Sequence, residues 1–215
     1  MEILDFLNYG FIQRAYLAGA AVAALCAILG VILVLRQLSL IGDGLSHVSF
    51  GALALGLFLG IYPIYLALPV AILASYFIIV LKDKARLYGD AAIAIVSAVG
   101  IAGGVILASL ASGFNVDLFS YLFGNILAIS STEAWLSIIV SILVIALIVY
   151  LYRDILAATF DEELAQVSGV KVRRLNIILS SLTAISVVLA IKVVGVMLVS
   201  ALLVIPAVSA LQLAK

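Results

Sequence analysis

The chain has 215 residues, 67% of them hydrophobic and only 10% charged, with a formal net charge of zero and a mean hydropathy of +1.41. A water-soluble domain is roughly half apolar and a quarter charged, so a soluble fold is excluded and an all-α integral membrane protein is predicted. The even charge balance and the lack of a basic tail argue against a nucleic-acid partner. The one cysteine, Cys26, rules out an intrachain disulfide and reads as a small core residue.

Residues 1–14 mix apolar and polar side chains and predict an interfacial helix. Glu2 and Asp5 stand where a signal peptide would be basic, and the apolar run that follows is too long for one, so it reads as a retained span. That run, Tyr16 to Leu35, holds 20 residues without a charge between Arg14 and Arg36. At about 1.5 Å per residue it crosses a hydrocarbon core of about 30 Å. Residues 38–62 form the second span. Pro63 opens the third, which runs to Leu81 and stops at the cluster Lys82-Asp83-Lys84-Ala85-Arg86. The fourth span is 91–110, where Gly100, Gly103 and Gly104 allow close helix approach.

Residues 112–131 carry Asn115, Asp117 and Asn125 among apolar neighbours and are expected to lie in, or re-enter, the interface. The fifth span is 134–151. Residues 153–174 form the longest polar connector, followed by spans at 175–191 and 193–213, the last broken by Pro206. These elements predict a polytopic bundle of about seven spans in a single transmembrane domain over 1–215. With alternating crossings, Arg36, Lys82, Lys84, Arg86, Arg153, Lys171, Arg173 and Arg174 fall on one side, which is eight of the eleven basic residues. That side is predicted to be cytoplasmic.

Two stretches stand out chemically. Asp43 and His47, the only histidine, lie one helical turn apart inside the second span and share a face. Ionisable residues in an apolar span are costly and mark functional sites by default. A carboxylate with an imidazole suits a divalent transition metal such as zinc or manganese. Two ligands are too few for a closed structural site but fit a transient one, and a symmetric dimer would double them. The alternative is that Asp43 caps the span and His47 is a hydrogen-bonded core residue. Gly42 and Gly44 flank Asp43 and allow the helix to unwind there, as in the discontinuous helices of other transporters. Ser46 beside His47 cannot form a nucleophile and base pair, because adjacent helical residues point about 100° apart; an intramembrane hydrolase is disfavoured.

The second stretch is Thr159 to Gly169 in the connector. Thr159 with Glu162 has the spacing of a capping box, and Asp161, Glu162 and Glu163 crowd a first turn where the helix dipole favours acids. Phe160, Leu164 and Val167 share one face, and Gly169 suits the end of the helix. This amphipathic helix either docks on a partner or lies on the membrane surface, and its acidic polar face favours docking. No phosphate-binding loop occurs, so ATP-driven transport would need a separate ATPase.

Four segments carry a family resemblance: Leu35 to His47, Tyr121 to Leu127, Phe160 to Ala165, and Val193 to Ala207. Together, and in this order, they resemble the signature of permease subunits of the zinc/manganese/iron-type ABC transporters. The resemblance implies a homodimeric permease in a prokaryotic cell membrane, with cytoplasmic ATPase subunits and an extracytoplasmic metal-binding protein. It implies that Asp43 and His47 contact the transported metal and that Phe160 to Gly169 is the coupling helix that docks on the ATPase. No stably bound cofactor is expected. A permease for vitamin B12 or iron-siderophore, of related architecture, is the alternative. Gly44 departs from the more usual alanine, predicting a looser helix. Such permeases also continue for at least one more span after Pro206, so the last span or spans are expected to be missing.

Overall fold

The computed structural model describes residues 9–84, 88–110 and 116–213. The helices in chain order are α1 (Gly10–Leu35), α2 (Ile41–Leu59), α3 (Pro63–Lys84), α4 (Gly89–Leu110), α5 (Val116–Phe123), α6 (Ser131–Tyr150), α7 (Tyr152–Phe160), α8 (Glu162–Val167), α9 (Val172–Val194) and α10 (Val196–Leu213). A 3-10 turn, Ile126–Ala128, joins α5 to α6. Among the described residues, seven of these helices (α1, α2, α3, α4, α6, α9 and α10) are long and apolar enough to cross a membrane.

The spans agree with the sequence reading in number and order, and differ at their ends. Residues 10–14 are not a separate interfacial helix; they continue into α1 without a break. The expected interfacial residues 1–8 lie outside the described chain. Span five begins at Ser131 because Ser130 and Glu133 form a reciprocal capping box, and α9 runs three residues further at each end than its apolar core suggests. α1 stops where Gln37 adopts a left-handed φ of 56°. Its amide donates to the Val34 carbonyl and the Leu38 amide to the Leu33 carbonyl, the paired bonds of a Schellman ending.

α2 sits at the centre, packed by α3, α4, α9 and α10, and most of its residues are buried. Small residues set these distances. Gly51 of α2 lies against Gly100 of α4, and Gly104 lies against Phe50, while Gly30 of α1 and Gly42 of α2 both receive Leu203 of α10. Helices in lipid associate by such close packing rather than by hydrophobic exclusion. The unwinding that these glycines allow at Asp43 does not occur. α2 is continuous from Ile41, and Gly42 and Gly44 serve instead to admit Leu203 and Ile93.

The discontinuity is at Gly195, between α9 and α10. Gly195 has φ 90° and Gly124, after α5, has φ 78°. The two left-handed glycines stack back to back: a Cβ on Gly195 would strike the backbone of Leu122, Phe123 and Gly124. The segment expected to re-enter thus folds inward far enough for Gly124 to meet a buried helix break, with Leu118 of α5 buried. Gly195→Ala places a side chain in a left-handed backbone position and against a neighbouring strand of chain, at a cost on the order of 1–3 kcal/mol. Its melting temperature in detergent is expected to fall clearly below wild type, whereas Gly103→Ala, which faces open space, leaves it unchanged.

Candidate functional site

Asp43 and His47 point to the same side of α2. The His47 Nε2 lies 3.4 Å from Asp43 Oδ2, with side-chain exposures of 29% and 49% respectively. That separation is longer than a good charge-assisted hydrogen bond. It matches the gap of about 3.4 Å between two ligand atoms held at about 2.1 Å on one tetrahedral ion. Asp43 does not cap α2: Leu40 occupies the N-cap position, and that end has no side-chain cap. The carboxylate is held from across the bundle, where Ser200 Oγ of α10 donates to Asp43 Oδ1 at 2.9 Å. Ser46 is fully buried and donates to the Asp43 main-chain carbonyl at 2.8 Å, a back-bond that leaves it no role beside His47. Among the described residues no third His, Cys, Asp or Glu joins the pair. Ser200 escaped the sequence reading. It lies within the Val193 to Ala207 segment, but a hydroxyl in an apolar run carries no spacing signal toward a carboxylate 157 residues away.

The connector forms two helices where one was expected. α7 ends at Phe160, Asp161 turns the chain in extended geometry, and α8 follows. The expected Thr159–Glu162 box is not made. Thr159 Oγ1 bonds back to the Ile155 carbonyl at 2.6 Å, and Asp161 Oδ1 caps α8 by accepting from the Leu164 amide at 2.9 Å. Asp161 wins because it alone has the extended backbone that an N-cap requires. Gly169, at φ 93°, closes α8: its amide reaches the Gln166 carbonyl and that of Val170 reaches Ala165. Phe160, Leu164 and Val167 are 85%, 64% and 87% exposed, and Glu163 is exposed beside them. Ala165 faces inward.

Under this segment lies a cavity of about 320 Å³, walled by Arg36, Ile41, Lys82, Thr159, Glu162 and Asn176 among others. Burial pulls the Arg36 guanidinium below its ordinary pKa, and Glu162 acts in the opposite direction. The start of α2, which carries Asp43 two residues later, therefore shares a wall with the connector. The same cavity gathers Arg36, Lys82 and the connector at one end of the bundle, as the charge pattern required. At the other end, Arg14 donates to Ser131, and Lys192 meets Glu133 at 3.1 Å and lies over the rings of Tyr62 and Tyr121.

The ABC 3 transport family profile matches residues 8–215. The chain belongs to that family. It is 36% identical over 204 residues to the manganese transport system membrane protein MntC of Listeria innocua, an alignment covering 95% of this chain and 72% of that one. It is 32% identical to the high-affinity zinc uptake system membrane protein ZnuB of Haemophilus influenzae, covering 94% and 77%. Among solved structures, PsaBC from Streptococcus pneumoniae in complex with Fab superposes with a TM-score of 0.83 and 32% identity, covering 97% of this chain and 75% of that one. The chain is thus an ABC-type permease subunit, a multi-pass protein of the bacterial plasma membrane.

With the basic end facing the cytoplasm, Lys171, which is exposed at the start of α9, lies inside. Lys171→Cys is expected to resist a membrane-impermeant maleimide in intact cells and to label rapidly after permeabilisation. Rapid labelling of intact cells would reverse the topology.

Proposed function

We propose that this permease carries a divalent transition metal, manganese or zinc, inward across the membrane, with Asp43 and His47 as the ligands that the ion meets in transit. The observation that carries this reading is the 3.4 Å pairing of Asp43 Oδ2 with His47 Nε2 inside the most enclosed helix of the bundle. Manganese and zinc in the names of relatives on both sides of the comparison point to the same cargo class. A neutral imidazole with one carboxylate binds such ions without closing around them. Two ligands per chain leave open positions for water, so the ion can leave. In a homodimer two such pairs would face a common axis. An extracytoplasmic metal-binding protein would present the ion to the outer end.

The energy would come from a separate ATPase docked on α7 and α8. Phe160 at the end of α7 and Leu164 and Val167 on α8 present exposed apolar side chains, and Asp161, Glu162 and Glu163 are exposed beside them. A push on α8 has a route to α2 through α9, which packs against both.

Asp43→Ala and His47→Ala are each expected to reduce cellular uptake of the metal to background while the protein still inserts and keeps its melting temperature. Asp43→Asn keeps the shape and loses the charge, and it should fail equally. Normal transport by Asp43→Asn would remove the carboxylate from the ligand set. Element-by-element metal content of cells lacking the gene identifies the cargo.

Leu164→Asp puts a charge in the centre of the apolar face. Burying it against the ATPase costs several kcal/mol of association, so the ATPase should no longer co-purify. Undiminished co-purification would assign this face to the membrane surface instead.

A further inference from the structure

We infer that Ser200 is a positioning residue for the transported ion: it holds Asp43 so that the carboxylate offers one oxygen, not two. The inference rests on the reading that Asp43 and His47 meet the metal. A carboxylate only accepts hydrogen bonds, and a serine hydroxyl has a single proton to give. Ser200 gives it to Asp43 Oδ1 at 2.9 Å, which leaves Oδ2 turned toward His47 Nε2. The hydroxyl is itself fixed in place. Its neighbours Val199 and Leu203 are buried, Leu203 is seated on Gly30 and Gly42, and α10 is anchored at its start by the Gly195–Gly124 contact.

The consequence is selectivity. A carboxylate free to rotate can chelate through both oxygens, an arrangement that suits the larger, six- to eight-coordinate calcium ion. One carboxylate oxygen beside an imidazole nitrogen suits manganese or zinc. Ser200 therefore disfavours calcium, the abundant divalent competitor, without touching the ion. It also makes the ligand geometry depend on where α10 stands relative to α2.

The test is titration of the purified full-length permease with Mn²⁺, following loss of the free-ion electron paramagnetic resonance signal, with and without excess Ca²⁺. Ser200→Ala is expected to weaken Mn²⁺ binding about tenfold, as for other residues that orient a metal ligand, and to make Ca²⁺ a stronger competitor. Ser200→Thr keeps the hydroxyl and should bind like wild type. Melting temperatures are measured alongside; should Ser200→Ala not be recovered folded, Ser200→Cys, similar in size with a weaker donor, is read by the same criteria. Unchanged Mn²⁺ affinity and Ca²⁺ competition, with Asp43→Ala losing binding, would overturn the inference and leave the metal reading intact. Failure of Ser200→Thr to preserve wild-type behaviour would also overturn it. Wild-type binding by Asp43→Ala would remove the metal reading itself, and the inference with it.

Discussion

The architecture depends on how closely α2 can be approached. In lipid there is no water to drive apolar helices together, so association rests on contact area and on small residues that let backbones draw near. α2 meets its neighbours through Gly42, Gly44 and Gly51; α4 answers with Gly100 and Gly104, and Leu203 of α10 seats between Gly42 and Gly30 of α1. This close fit encloses a helix that carries Asp43, Ser46, His47 and Ser49. It buries Ser46 and Ser49 completely, while Asp43 and His47 stay partly exposed. The serines bond back to their own helix, and the carboxylate of Asp43 draws on α10.

Two ends of the molecule are organised differently. The outer end is tied by charge: Lys192, Glu133 and Tyr62 join α9, the start of α6 and the turn before α3. The basic end is built around a cavity in which Arg36 and Lys82 share walls with the connector. One end is braced by an ion pair, and the other encloses a cavity.

Seven apolar runs of about 20 residues are hard to misread, because length and composition alone decide whether a helix can span. Helix ends were less legible. Gln13 and Arg14 look like an interface but continue α1, and Ser130 with Glu133 starts α6 before its apolar core begins. Asp43 and His47 were visible because one turn of helix places them together whatever the fold. The glycines around Asp43 were misread, since sequence shows that a helix is permitted to unwind there but not that a neighbour's Leu203 and Ile93 fill the space. In the connector, Thr159 and Asp161 both offered a capping oxygen, and only the backbone turn decided between them. Ser200 was invisible because its meaning lies wholly in a tertiary contact.

The paired glycines at 124 and 195 also set a rotational register. α10 takes its starting angle from the point where Gly195 rests on the backbone around Gly124, and Ser200 lies five residues on. Each residue of helix turns its side chain by about 100°. One residue added or removed between Gly195 and Ser200 would swing that hydroxyl off Asp43 and bring an aliphatic neighbour, Val199 or Ala201, to face the carboxylate. The chain can therefore vary the composition of this short interval far more freely than its length.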